Sequence, residues 1–110
     1  GAQGNLTLFL VIQHSDQTTQ EKYLPVMRAA VNNGDAQSSH LALLEDRVAL
    51  GQGKKQIYGS QIHRDMKTGE YFVAPIEDER HVNKRRATVG LEPLEVYAKL
   101  WGIDYQIPAD

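Results

Sequence analysis

Glycines divide this sequence into short segments, and their spacing limits the chain to elements of modest length. Glycine adopts the left-handed backbone that ends a helix or tightens a turn more easily than any other residue. The predicted segments close or turn at Gly34, Gly51, Gly69, Gly90 and Gly102. The chain is therefore expected to form several short elements that pack on one another.

The helical spacing of apolar residues predicts five helices. They cover about residues 5–14, 17–33, 39–51 and 78–89, and a last helix opens at Pro93 and stops at Gly102. Pro25 lies inside the second helix and is expected to kink or split it, because proline has no backbone N–H. The expected N-caps are Ser15 or Asp16 for the second helix, Ser38 or Ser39 for the third, and Asp78 for the fourth.

Alternating residues between the third and fourth helices predict a β-hairpin. Its strands would cover residues 56–63 and 70–76, around a turn at Lys67-Thr68-Gly69. Pro75, near the end of the second strand, indicates a position at the edge of the sheet. The predicted fold class is mainly α (α+β): a small helical domain of about five helices with one β-hairpin.

Size and composition exclude several classes of protein. The 110 residues suffice for one modest core, so we expect a single domain over residues 1–110, which could be the C-terminal part of a longer protein. A net charge of −2 argues against nucleic acid as a partner. The apolar run LTLFLVI is far shorter than the roughly 20 residues of a membrane span. The absence of cysteine excludes disulfides and thiolate chemistry, and leaves the compartment open between cytoplasmic and exported.

The predicted first helix ends in four polar side chains, Gln13, His14, Ser15 and Asp16. Such a cluster at the end of an apolar segment indicates a site, because buried polar groups without partners are costly. His14 is the candidate catalytic acid or base, since imidazole titrates near neutral pH, and Asp16 would orient its ring. Gln13 is a candidate for binding substrate. The alternative is a structural histidine that bonds a backbone carbonyl or suits the helix C-terminus.

The third predicted helix carries two adjacent charges, Asp46 and Arg47, between or beside its apolar stripes. Charges desolvated in this way must be paired or used. In the functional interpretation Arg47 clamps a carboxylate or phosphate of the substrate, and Asp46 assists in binding. The alternative is an internal salt bridge, with Asp16 or Asp78 as the partner of Arg47.

The stretch QIYGSQ at residues 56–61 combines polar side chains with a central glycine. Gly59 inside a predicted strand indicates a bulge or the close approach of another group. A ligand approaching there would meet the Tyr58 hydroxyl and the Gln61 amide, which are candidate substrate-binding groups. In the alternative, Gly59 is a packing glycine and Tyr58 belongs to the core.

The remaining motifs give little chemistry. The four histidines show no metal-ligand spacing, so no structural zinc site is predicted, and no cofactor is implied. The run GQGKK lacks the spacing of a phosphate-binding loop. The basic run Lys84-Arg85-Arg86 is expected to be solvated or paired with the acidic residues at 77–79.

Six blocks occur along the chain in the order QHSD, LPVMRAAV, LLEDRVAL, GKKQIYGSQ, APIEDERHV and KRRATVGLEPL. In these blocks the chain resembles an uncharacterised bacterial family, a domain of unknown function found in cytoplasmic and exported proteins. The resemblance covers nearly the whole chain and implies additional upstream sequence in other members. It supplies candidate positions and no chemistry: Gln13, His14, Asp16, Asp46, Arg47, Tyr58, Gly59 and Gln61.

Two functional hypotheses follow from these residues. The first is a metal-independent hydrolase or transferase with a polar site around Gln13, His14, Arg47 and Tyr58. The second is a non-catalytic module in which the same groups form a structural hydrogen-bond network, while another surface binds a small molecule or a protein partner. The sequence favours neither hypothesis decisively, and it identifies no substrate or partner.

Overall fold

The computed structural model describes residues 16–34 and 36–108, which form a small α+β domain. The predicted combination of helices with one hairpin is confirmed, while the predicted helix at 5–14 lies outside the described residues. No described helix has both the length and the apolar character needed to cross a membrane. The described elements are α1 (Gln17–Asn32), α2 (Ser38–Gly51), β1 (Ile62–Arg64), β2 (Tyr71–Val73), a 3-10 turn (Glu79–His81), α3 (Val82–Thr88) and α4 (Leu94–Lys99).

Helix α1 begins at the predicted cap and ends near the predicted glycine. The Asp16 carboxylate accepts a 2.8 Å hydrogen bond from the backbone amide of Thr19, which satisfies one of the free amides of the first turn. The chain leaves the helix at Asn33 and Gly34, where the glycine has a φ of 76°. Pro25 lies inside the continuous helix Gln17–Asn32, so the expected split of α1 does not occur.

Helices α1 and α2 pack through an apolar helix interface, defined by the buried side chains of Met27, Leu44 and Val48. The predicted helical spacing accounts for this face. The expected side-chain cap of α2 is wrong, because the N-cap position is Gln37 and its side chain makes no capping hydrogen bond. The Ser38 hydroxyl instead donates to the carbonyl of Val89, 3.3 Å away. Partly buried residues complete the interface: Tyr23, Leu24, Leu41 and Leu43.

The β-hairpin is shorter than its alternating pattern predicts. Strands β1 and β2 are antiparallel, with Ile62 opposite Val73 at one end and Arg64 opposite Tyr71 at the other. The prediction that residues 56–61 belong to the first strand is wrong, because the amides of residues 57, 58, 60 and 61 donate to the side chains of Asp46 and Gln56 and not to a neighbouring strand. A single parallel bridge, Gln56 to Ile76, is formed there.

The C-terminal part forms a second apolar cluster, with Ile76, Val82 and Leu94 buried at its centre. The predicted cap of the fourth helix is wrong: Asp78 has a left-handed backbone (φ 45°) and its side chain does not cap. A short 3-10 turn therefore precedes α3. Asn83 ties α3 to α4, since its Oδ1 accepts a 2.7 Å hydrogen bond from the Leu94 amide.

Candidate ligand-binding site

The loop of residues 56–61, between α2 and β1, is held by buried side chains, and we call it the clamped loop. Asp46 of α2 is fully buried and accepts four hydrogen bonds from it. Its Oδ1 accepts from the amides of Ile57 (2.7 Å) and Tyr58 (2.9 Å), and its Oδ2 accepts from the amide (3.0 Å) and hydroxyl (2.6 Å) of Ser60. Both carboxylate oxygens are thereby used to fix the loop.

Gln56 closes the clamped loop on itself and ties it to the segment after β2. This residue is fully buried, and its Oε1 accepts a 2.9 Å hydrogen bond from the Gln61 amide. Its Nε2 donates to the carbonyls of Gln61 (3.2 Å) and Ala74 (2.7 Å). Its backbone amide donates to the Pro75 carbonyl at 2.9 Å. One buried amide side chain thus satisfies backbone groups that a strand partner would otherwise take.

Two arginines of α3 also hold the clamped loop. They donate hydrogen bonds to its carbonyl oxygens, whereas Asp46 accepts hydrogen bonds from its amides. Arg86 is only 2% exposed and donates from Nη1 to the Tyr58 carbonyl (2.7 Å), while Arg85 donates from Nε to the Ile57 carbonyl (2.9 Å). Burial lowers the pKa of Arg86 from its usual value. The expectation that this basic run is solvated or paired with residues 77–79 is confirmed for Arg85, whose Nη1 lies 3.6 Å from the Asp78 carboxylate. It is wrong for Arg86, because that charge lies inside the fold.

Gly59 permits the tight packing of the clamped loop. It is buried with a φ of 70°, and a β-carbon there would lie 3.1 Å from Leu94 and 3.2 Å from Ile76. The backbone conformation and the close contacts both require glycine. The Tyr97 hydroxyl adds a 2.9 Å hydrogen bond to the Ser60 carbonyl. The loop is therefore fixed at every position from 57 to 61 by contacts beyond its own backbone.

Arg47, the neighbour of Asp46 on α2, lines a cleft of about 310 Å³ that we call the Arg47 cleft. Its Nε is buried and has no hydrogen-bond partner among the described residues. Burial lowers the pKa of this guanidinium, although the side chain keeps its charge at any physiological pH. The cleft is lined by Gln20, Arg47, Leu50, Gly51, Gln61 and His63.

The Gln61 side chain reaches the Arg47 cleft in an orientation set by the buried acid. Its Nε2 donates a 3.0 Å hydrogen bond to the Ser60 hydroxyl, and that hydroxyl donates to Asp46 at 2.6 Å. His63, on β1, is exposed at the same cleft and packs edge-on against Phe72, with ring centroids 5.9 Å apart. The described residues contain no group of three or more potential metal ligands. The arrangement suits an anion more than a cation.

A model of one protein family matches residues 1–108, nearly the whole chain. It describes DUF6624, a family of unknown function. The chain belongs to this family. Neither a curated protein nor a solved structure matches it. Membership of this family therefore assigns no activity to the chain.

In this family member the structure brings together only some of the predicted site residues. Arg47 and Gln61 line one cleft, whereas Tyr58 is not among the residues that line it. Asp46 is enclosed beneath the clamped loop. The proposed salt-bridge partners of Arg47 are engaged elsewhere: Asp16 caps α1, and Asp78 contacts His81 and Arg85. Gln13 and His14 lie outside the described residues.

Sequence reasoning missed three residues of the DUF6624 site region, each for a physical reason. Arg86 stands in a basic run, and charge alone does not distinguish its buried position from that of its exposed neighbour Lys84. Gln56 falls within the predicted strand at 56–63, where its side chain has no special role. For His63 the sequence suggests only the question of metal binding, which its spacing from the other histidines answers in the negative. The glycine at position 59, inside a predicted strand, is the sequence feature that indicates the close packing of this loop, which the structure shows against Leu94 of α4.

Proposed function

We propose that this domain is a non-catalytic ligand-binding module that holds a small anion, a carboxylate or a phosphate, in the Arg47 cleft. The observation that carries the proposal is the buried, unpartnered Nε of Arg47. A buried donor without a partner costs about 1–3 kcal/mol, and more when it is charged. A ligand oxygen would remove that cost.

The environment of Arg47 supports an anion as the ligand. None of the described carboxylates forms a salt bridge with it, in contrast to Arg28, whose Nε lies 3.7 Å from Glu45. A guanidinium presents its donors in a planar fork that matches a carboxylate or a phosphate. The cleft volume, about 310 Å³, is at the small end of the range for ligand sites. A compact anion fits this combination.

The clamped loop supports binding more than catalysis. The buried polar residues Asp46, Gln56 and Arg86 all hydrogen-bond to backbone groups, so their role is to fix the loop. A rigid loop gives affinity because little side-chain freedom is lost when the ligand binds. Gln61 is the loop residue that lines the Arg47 cleft, and its side chain is held in place by the hydrogen bond to the Ser60 hydroxyl.

A hydrolase or transferase with His14 as acid or base is the second candidate. The sequence alone supports it: the imidazole of His14 can act as acid or base near neutral pH, and Asp16 follows two positions later. In that case His14→Ala would abolish turnover while anion binding through Arg47 persisted.

The proposal is tested by titrating sodium phosphate and sodium acetate at constant ionic strength into isotopically labelled protein, followed by NMR. We expect the Gln61 side-chain amide and the Arg47 Nε–H signals to move in the wild type. They should also move in the matched control Arg28→Gln, which alters an arginine whose side chain is 54% exposed. Arg47→Gln should abolish the Gln61 shift. Equal shifts in both variants, or none in the wild type, would overturn the proposal.

The stability of the same variant separates binding from a structural role. Because Arg47 makes no hydrogen bond or salt bridge to the described residues, Arg47→Gln should leave the free energy of unfolding unchanged or raise it, by up to about 1 kcal/mol. Urea denaturation measures this difference. A loss of more than about 1 kcal/mol would assign Arg47 to the fold instead.

A further inference from the structure

We infer that a second cavity, beside the Arg47 cleft, binds apolar monocarboxylic acids, with Arg86 holding the carboxylate and Leu43 and Leu91 packing against the apolar body. The cavity has a volume of about 370 Å³. Ser60, Glu92 and Tyr97 also line this cavity. We call it the Arg86 cavity.

Arg86 brings an incompletely paired charge to this cavity. The side chain is 2% exposed, and none of the described acidic residues forms a salt bridge with it. Its Nε donates to the Glu92 carbonyl (2.6 Å) and its Nη1 to the Tyr58 carbonyl (2.7 Å). These two bonds use Nε and Nη1, so Nη2 is the remaining donor nitrogen of the guanidinium. Buried charges are normally paired, so this nitrogen is the natural contact for an anionic ligand.

Two leucines and a tyrosine ring form the apolar part of the wall, which suits the hydrocarbon part of the ligand. Leu43 and Leu91 present hydrocarbon surface, and the Tyr97 ring lies over the Arg86 guanidinium, 5.1 Å from its central carbon to the ring centroid. The Tyr97 hydroxyl donates its hydrogen bond to the Ser60 carbonyl, so Tyr97 would contact a ligand through its ring. Burying a hydrocarbon chain here contributes about 0.8 kcal/mol per methylene. Acetate is too small to gain this contribution.

Glu92 determines the charge that the Arg86 cavity accepts. Glu92 is one of the residues that line the cavity, and the charge of its side chain acts on Arg86. A ligand with two negative charges, such as phosphate, would be repelled by this carboxylate, whereas a monocarboxylate meets one positive and one negative group. The two sites therefore select different anions although they are close. Leu43 and Arg47 are one turn apart on α2, and Ser60 and Gln61 are adjacent.

The test uses sodium hexanoate, with hexanol and sodium phosphate as comparison probes, measured by calorimetry and by NMR of leucine methyl groups. Hexanoate should move the Leu43 and Leu91 methyl signals. Hexanol lacks the carboxylate and should bind at least tenfold more weakly, and phosphate should leave these signals in place. If hexanol binds as tightly as hexanoate, or hexanoate leaves the Leu43 and Leu91 signals unmoved, the inference is wrong.

A cavity-filling variant tests the position. Leu91→Trp should weaken hexanoate binding at least tenfold, whereas Leu100→Trp, at a side chain 76% exposed, should leave it unchanged. Undiminished binding by Leu91→Trp would contradict the inference, and the wild-type methyl shifts still decide if that variant does not fold. Arg47→Gln should keep hexanoate binding, so a failure of the Arg47 proposal is distinguished from a failure at the Arg86 cavity.

Discussion

The apolar helix interface and the clamped loop are fixed by opposite means. In the helix interface, Met27, Leu44 and Val48 bury hydrocarbon, which is favourable in many orientations. In the clamped loop, Asp46 and Arg86 bury charge, which is favourable only when each donor meets its acceptor. The apolar helix interface should therefore tolerate the replacement of one apolar side chain by another. The clamped loop should tolerate almost no replacement of its buried polar side chains.

The largest effect is expected for Asp46→Asn, an isosteric change in the clamped loop. An asparagine offers one acceptor oxygen in place of two and points an NH₂ group at donors. Because Asp46 accepts four hydrogen bonds in a fully buried position, we expect the free energy of unfolding to fall by about 3 kcal/mol. Urea denaturation followed by circular dichroism measures the loss.

The control for this change is Asp104→Asn, at an exposed acid of the C-terminal tail. It should alter the free energy of unfolding by less than about 0.5 kcal/mol. If the two variants were equally stable, the buried hydrogen bonds of Asp46 would not hold the loop, and the contrast between the two regions would fail.

A smaller effect is expected for Leu44→Met, an almost volume-conserving change in the apolar helix interface. Leu44 is fully buried, but methionine is flexible enough to refill the same space. The free energy of unfolding should fall by less than about 1.5 kcal/mol, measured by the same denaturation experiment. A loss as large as that of Asp46→Asn would mean that the helix interface is as exacting as the loop.

The smallest effect concerns Glu45, which precedes Asp46 but borders the helix interface. Burial raises the pKa of Glu45 above its usual value of 4.5, although Arg28 acts in the opposite direction. A raised pKa in the folded state gives stability that is present below 4.5 and is lost as the pH rises through the folded value. From about pH 4 to about pH 7 the wild type should lose stability relative to Glu45→Gln, by less than about 1 kcal/mol.

Denaturation curves of the wild type and Glu45→Gln at several pH values give this difference directly. A difference that stays constant with pH would show that the Arg28 contact cancels the effect of burial on the pKa of Glu45, and a change in the opposite direction would show that it outweighs burial. The neighbouring acids would then differ less than their surroundings indicate.

The helices could be predicted because their physics is local. Asp16 caps α1 within one turn, and helical spacing finds the apolar face of α1 with only neighbouring residues in view. The bounds 17–33 and 39–51 are accordingly within one residue of α1 and α2. Apolar periodicity carries this information because it depends on burial alone.

The clamped loop could not be predicted in the same way, since its bonds cross long stretches of sequence. Asp46 reaches Ser60 over 14 residues, and Arg86 reaches Tyr58 over 28. Residues 56–61 alternate like a strand, and nothing local shows that side chains take the place of a strand partner. The same limit applies to the site. Residue type is enough to suggest Arg47 and Gln61 as candidates, but only tertiary packing shows that they line one cleft together with His63.

The clamped loop is fixed mainly through its main-chain atoms, to which Asp46, Gln56 and Arg86 form hydrogen bonds. Some of its side chains are therefore not needed to hold the loop in place. Gly59 and the Ser60 hydroxyl are required by the packing. The buried anchors, Asp46 and Gln56, bind Ile57, Tyr58 and Gln61 through backbone amides, which every amino acid except proline provides. Side chains at 57, 58 and 61 can therefore be exchanged while the backbone keeps its course. In this sense the domain is a scaffold that presents three side chains, at 57, 58 and 61, whose identity the buried anchors do not fix.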